Sequence, residues 1–371
     1  MNVLIAPDAF KDSLTAQEAA DIMQEAVLKM HPQARCYFLP ASDGGEGFLE
    51  AVQSYRENAV SIHTDTLDPL RRPHAAHYLY DSSTASAYIE LAQASGLELL
   101  KPEERNPLVT STFGTGLQIK EAIAKGAQHI YVGLGGSATN DAGTGIAQAN
   151  GYVFKDKKGQ PLDMCGEALG AIDQIDGIQP NRVRFYAIND VSNPLYGPEG
   201  AAFVYARQKG ATDKTIEQLD LGLRNLDRCI TSQFKIEEAA TPGSGAAGGT
   251  AYGLKTFFKA EFISGTSFIL NLAGFQQKVK DWEIDLILTG EGKIDAQTHY
   301  GKFVFGLAQQ AAKVGIPVKA VCGKLDLTPQ EVKELGLQTA TQLYNPNKEP
   351  QHSFKFAKQL LFEQCCQLLE Q

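Results

Sequence analysis

The stretch "DLILTGEG", Asp285 to Gly292, is a short apolar run that stops at a glycine-containing polar loop. A run of that length reads as a strand buried on both faces, as in a parallel sheet. The segments C-terminal to it keep the rhythm: "KFVFGLAQQAAKVG" is a helix ending at Gly315, "VKAVCGK" a strand, "TPQEVKELG" a helix, "TATQLY" a strand, and the chain closes on an amphipathic helix. The same alternation opens the sequence. "NVLIAP" is a strand, "TAQEAADIMQEAVLKM" has helical spacing behind a Thr15/Glu18 capping box, and "ARCYFLP" is a strand again. After the loop "ASDGGEG" come a helix over Phe48–Tyr55 and a strand near Val60–His63, read as the continuation of one parallel sheet. Two βα-rich ends therefore flank a glycine-rich middle. The expectation is a discontinuous parallel-sheet domain, residues 1–65 plus 283–371, with an α/β domain of residues 66–282 inserted. A simple two-domain split along the chain is the competing arrangement.

Composition bounds the function. At 371 residues the chain exceeds one average domain, and its apolar runs fall well short of the roughly 20 residues that span a bilayer. The start "MNVLIAPDAFKDS" lacks a basic leader, so a cytoplasmic protein with no membrane role is expected. Six cysteines stand at 36, 165, 229, 322, 365 and 366 without a CxxC pair, which points to buried thiols and not to zinc or a disulfide framework. The formal charge of −9 and the isolated "KDKKG" cluster, read as a solvated turn, argue against nucleic acid. An acidic protein still binds small anions where lysine, arginine and backbone N–H groups converge.

Candidate chemistry sits in six polar loops. These are "PDAFKDS", "SDGGEG", "GLGGSATND", "INDVSNP", "GSGAAGG" and "TGEGKID". Most follow strands, where ligands of open parallel sheets bind. A glycine there is often only a turn residue, and each carboxylate has loop capping as its alternative role. Five of the six also carry Asp or Glu, a concentration of negative charge that Mg²⁺ would relieve. No GxxxxGK[ST] loop is present. "GLGGSA" fits GxGxx[G/A], but Asp156, near the distance of a ribose-binding acid, lies in a turn, so an NAD-dependent dehydrogenase is a weaker alternative. A hinged two-domain binding protein is another. The single tryptophan, Trp282, reads as a core or domain-edge residue.

Taken together the sequence resembles the bacterial type I glycerate kinase family. The resemblance rests on "APDAFKDSLTAQEAA", "PASDGGEGFLEA", "GTGLQIKEAIAKGAQHIYVGLGGSATNDAGTG", "NDVSNPLYGPEGAA", "PGSGAAGG" and "LTGEGKIDAQTHYGK", which span nearly the whole chain. It departs at Ala9 and Asp12, where "PDSFKGS" is expected. The resemblance implies a Rossmann-like domain with a second α/β domain inserted, and transfer of the γ-phosphoryl group of ATP to D-glycerate at a site between the domains. It favours 2-phosphoglycerate over 3-phosphoglycerate as product. A kinase for another small hydroxy acid would share these features, and oligomeric state is not legible.

Phosphoryl transfer asks for Mg²⁺, cations on the phosphoryl oxygens and an acceptor for the hydroxyl proton. Glycerate adds a carboxylate for Arg or Lys and hydroxyls for Asp or Asn. The expected catalytic residues are Asp190, Lys11 and Lys293, with Asp8, Arg71 and Asn189 on the substrate. Arg72 is a further cation candidate. Gly135, Gly136, Ser137, Thr139, Asn140, Gly245 and Gly248 are expected on nucleotide phosphates, and Asp43, Glu46, Glu291 and Asp295 on Mg²⁺. Which carboxylate acts as base and which hold metal stays open.

Overall fold

The structure, a computed structural model, describes residues 1–10, 13–45, 47–177, 182–295, 298, 303–349 and 351–370. It divides into two compact units, Met1–Asp43 with Gly265–Gln371, and Gly44–Ser264. The chain enters the first unit with β1 (Asn2–Pro7), whose Val3, Leu4, Ile5 and Ala6 are buried as a central parallel strand requires. Helix α1 (Ala16–Met30) starts at the expected capping box: Glu18 N donates to Thr15 Oγ1 at 3.1 Å, and Thr15 N to Glu18 Oε2 at 3.1 Å. Strand β2 (Arg35–Phe38) then pairs parallel with β1.

The second unit continues without a break: α2 (Phe48–Tyr55), β3 (Ala59–Leu67), β4 (Pro73–Asp81), β5 (Ser86–Glu90), α3 (Ala92–Ser95), α4 (Phe113–Ala124), β6 (His129–Gly133) and α5 (Thr144–Ala149). A small antiparallel pair, β7 (Val153–Lys155) and β8 (Gln174–Asp176), leads to β9 (Arg184–Ile188). Helices α6 (Ala201–Tyr205), α7 (Asp213–Phe234) and α8 (Ala246–Phe258) precede β10 (Glu261–Ile263). The sheet runs β10-β9-β6-β5-β4-β3, parallel through β10, β9, β6 and β5 and antiparallel through β3, β4 and β5. Its core includes Ile130, Val132, Ile146, Phe154, Phe185, Leu223, Tyr252 and Phe257. Tyr88, Tyr131 and Tyr186 stack as a ladder across β5, β6 and β9, with ring centroids 5.1 and 4.5 Å apart.

The strand expected near Val60–His63 does not continue the first sheet. It is β3, paired antiparallel with β4, Val60 opposite Tyr80 and His63 opposite His77. The reason is the connection: Asp68 N donates to Arg72 O at 2.9 Å, and Asp68 Oδ1 accepts from Leu70 N and Arg72 N at 2.9 Å each. So short a turn joins only antiparallel strands. The chain passes from one unit to the other at 43/44 and 264/265, where 65/66 and 282/283 were expected. The hairpin holds residues 44–65 in the second unit.

The chain returns to the first unit through α9 (Gly265–Leu272) and α10 (Phe275–Asp281), continues into β11 (Leu286–Ile294), α11 (Phe303–Lys313), β12 (Val318–Leu325), α12 (Pro329–Glu334) and β13 (Thr339–Gln342), and ends with α13 (His352–Lys355) and α14 (Ala357–Glu370). Trp282 belongs here too, half-buried and stacked on Tyr37 with centroids 4.6 Å apart. All pairs in the sheet β13-β12-β11-β1-β2 are parallel, with Ile5 opposite both Leu288 and Phe38. Numbered within this unit the strand order is 2-1-3-4-5, a doubly wound, Rossmann-like sheet whose direction of winding reverses between β1 and β11. Helices α1 and α14 share one apolar layer through Met23, Ala26, Val27, Leu361, Cys365 and Leu368. The six cysteines are free, three buried and three half-buried. Among the described residues no helix is long and apolar enough to cross a membrane.

Candidate active site

Each unit gathers polar side chains beyond the carboxyl ends of its parallel strands. In the second unit the loop 134–141 leaves β6 and folds back on itself. A Cβ built at Gly135 would sit 3.0 Å from Gly45 N and closer still to its Cα, and Gly136 takes a φ of +68°, so both positions demand glycine. Asp141 closes the loop. Its carboxylate accepts from Thr112 N and Oγ1 at 2.8 Å each, and from Gly143 N and Gly145 N at 3.2 Å each. Burial pushes its pKa up while these donors pull it down. Asp141 is thus a clamp between the starts of α4 and α5.

The sequence reading missed Lys209. It lies after α6 in the ordinary-looking "RQKG" and is 2% exposed, with Nζ donating to Ser137 Oγ at 2.7 Å and to Thr139 O at 2.6 Å. Burial lowers its pKa to about 7, against the opposing field of Asp141. The Thr139 hydroxyl and both polar atoms of the Asn140 carboxamide are buried without a hydrogen-bond partner. Such orphans cost free energy unless something else satisfies them.

Two further predicted loops join it. Ala142 N donates to Gly248 O at 3.0 Å, and a Cβ at Gly248 would fall 2.7 Å from Asn140 Cα and closer still to Thr139 O. Gly245 N donates to Asn193 O at 2.9 Å, and a Cβ at Gly243 would meet Asn189 Oδ1 at 3.3 Å. Asn189 N donates to Ile263 O at 3.1 Å and its Oδ1 accepts from Val191 N at 3.3 Å, while Asp190 stands half-buried just past β9. The structure therefore brings "GLGGSATND", "INDVSNP" and "GSGAAGG" together. Arg71 is differently engaged. Its guanidinium donates to Asp163 at 3.2 Å, Gln148 Oε1 at 3.1 Å and Met164 O at 3.0 Å and lies over the Phe113 ring. Arg72 pairs with Asp68 and Glu104. Both arginines pin the β3–β4 turn.

In the first unit a pocket of about 680 Å³ opens at the carboxyl ends of β1, β11, β12 and β13, where the winding reverses. Asp8, Asp43, Glu291 and Lys293 line it, with Phe10, Lys324, Tyr344 and Phe354. Asp8 N donates to Gly290 O at 2.8 Å, and Glu291, 5% exposed, accepts from Thr298 Oγ1 at 3.2 Å. Lys293 pairs with Asp295 at 2.8 Å and Asp326 at 3.1 Å, bonds that raise its pKa. Lys11 and Glu46 lie outside the described residues.

Among the described residues no three His, Cys, Asp or Glu side chains form a group that could hold a metal ion by themselves. Asp8, Asp43 and Glu291 nevertheless line one pocket. One or two such carboxylates are what Mg²⁺ ordinarily takes, since it keeps several waters and is bound alongside substrate phosphates. Asp295, expected beside them, forms an ion pair with Lys293 at 2.8 Å.

A glycerate kinase family model matches residues 3–371. The chain belongs to the glycerate kinase family. That membership makes it a phosphotransferase. It is 40% identical over 345 residues to the glycerate kinase of Halalkalibacterium halodurans, covering 92% of this chain and 90% of that protein. It is 37% identical over 330 residues to the glycerate 2-kinase of Escherichia coli, covering 88% and 86%. Among solved structures it resembles the crystal structure of a protein assigned as glycerate kinase 2 from Salmonella typhimurium LT2, with a TM-score of 0.78 at 33% identity, covering 100% of this chain and 97% of that one.

Proposed function

We propose that the protein is a cytoplasmic, ATP- and Mg²⁺-dependent kinase that phosphorylates D-glycerate to 2-phosphoglycerate. The observation that carries this reading is the family match from end to end, with a relative named for 2-kinase activity at 37% identity. In this assignment the glycines, Ser137, Thr139 and Asn140 of loop 134–141, with Gly245 and Gly248, offer N–H and hydroxyl donors to phosphoryl oxygens. Asp190 accepts the proton of the reacting hydroxyl, and Asn189 and Asp8 orient the acid. Lys11 and Lys293 neutralise developing charge. Asp43, Glu46, Glu291 and Asp295 are the carboxylates available to Mg²⁺, whose bound charge would offset that of the triphosphate.

The test is turnover of purified protein with ATP, Mg²⁺ and D-glycerate, the product read by phosphorus NMR. ATP consumption that requires both glycerate and Mg²⁺, with the phosphoryl signal of the 2-ester, is expected. The 3-ester would overturn the regiochemistry. Glycerate-dependent NAD⁺ reduction without ATP turnover would overturn the kinase reading.

A further inference from the structure

A lysine closed off from water beside unpartnered acceptors and donors calls for a reason. Lys209 carries three N–H donors, and Ser137 Oγ and Thr139 O account for two. Within one loop's length lie the Thr139 hydroxyl and the Asn140 carboxamide, fully buried and without protein partners. The nearby carboxylate, Asp141, is already held by Thr112, Gly143 and Gly145. An ammonium group, a hydroxyl and an amide that the fold buries yet leaves short of partners make a set complementary to an anionic oxygen. Gly248 lets its own segment press against Thr139 and Asn140, so these two sit in a tightly built place and not in a loose turn.

We propose that Lys209, with Thr139 and Asn140, forms the charged seat for an oxyanion of the substrates, either a phosphoryl oxygen of the nucleotide or the carboxylate of the hydroxy acid. The proposal rests on the kinase reading for the identity of those substrates, but not for the existence of the seat. Lys209 also positions the loop, because its two protein hydrogen bonds tie Ser137 to the backbone at Thr139.

Three variants test it: Lys209→Met, Thr139→Val and Asn140→Leu. The last two remove groups that make no protein hydrogen bond, so the apo protein should melt at the wild-type temperature or higher. A purely structural role for these side chains would lower it. Binding of ATP·Mg²⁺, D-glycerate and orthophosphate is measured by calorimetry, with KM and kcat for each substrate. Loss of a charge-assisted hydrogen bond should weaken one ligand roughly tenfold to a hundredfold. Weakened ATP and orthophosphate with glycerate unchanged identifies a phosphoryl seat; weakened glycerate alone identifies a carboxylate seat. Wild-type affinities in Thr139→Val and Asn140→Leu overturn the proposal, as does a lowered apo melting temperature with unchanged KM. Should the wild-type protein fail to phosphorylate glycerate, the kinase reading falls, and the orthophosphate arm still decides the seat.

Discussion

Replacing Gly248 by alanine probes the close approach on which the second unit's polar loop depends. At φ +66° an alanine pays about 1–2 kcal/mol for the left-handed backbone alone. Its Cβ would also stand 2.7 Å from Asn140 Cα and nearer to Thr139 O, where ordinary contact begins at 3.4 Å. Those atoms cannot easily retreat. Thr139 O accepts from Lys209 Nζ at 2.6 Å, and Gly248 O from Ala142 N at 3.0 Å. Overpacking of this kind costs about 1–3 kcal/mol more, so Gly248→Ala should lose about 2–5 kcal/mol in all. The control is Gly159→Ala, in the same unit at φ +74° with nothing within 4 Å of its Cβ, which should lose only the backbone share of about 1–2 kcal/mol. Urea unfolding of both variants, analysed at unchanged m, measures the difference. Equal losses would refute the argument that Gly248 exists to let these segments touch.

The same geometry fixes other outcomes. Asp141→Ala strips four hydrogen bonds from buried or half-buried donors and leaves the Lys209 charge without its neighbour, so about 3–5 kcal/mol should be lost in urea unfolding; a loss under about 1 kcal/mol would deny the clamp. Asp190→Asn and Asp43→Asn should lower kcat at least about a hundredfold while the apo melting temperature holds or rises, whereas lower melting with normal turnover would assign both to loop capping. For pH, the folded value of Lys209, about 7, lies below its ordinary 10.5, so between these the unfolded chain binds the extra proton. Stability contributed by this group therefore rises as pH climbs from about 7 towards 10.5 and is lowest below 7. Subtracting the Lys209→Met profile should expose that rise between about pH 7 and 9.5, and parallel profiles would refute the buried charge.

Much of the architecture is legible in the amino-acid sequence. Short apolar runs ending in polar loops locate β1, β6, β9 and β11, because a strand's buried character and a turn's backbone demands are written within a few residues. The Thr15 capping box and the alternation at both ends were readable for the same reason. The sequence did not disclose that β3 leaves the parallel sheet for a hairpin with β4, since an isolated β-branched run carries no record of its partner's direction. Nor did it disclose the fate of its charges. Arg71 resembles any exposed cation until Asp163, Gln148, Met164 and Phe113 close around it. Lys209 and Asp141 are ordinary letters whose burial exists only once β6, α4, α5 and the segment after α6 converge. Periodicity and turn chemistry act over a few residues, and these the sequence determined. Desolvation of a charge depends on every element that excludes water from it, and that only the tertiary structure decided.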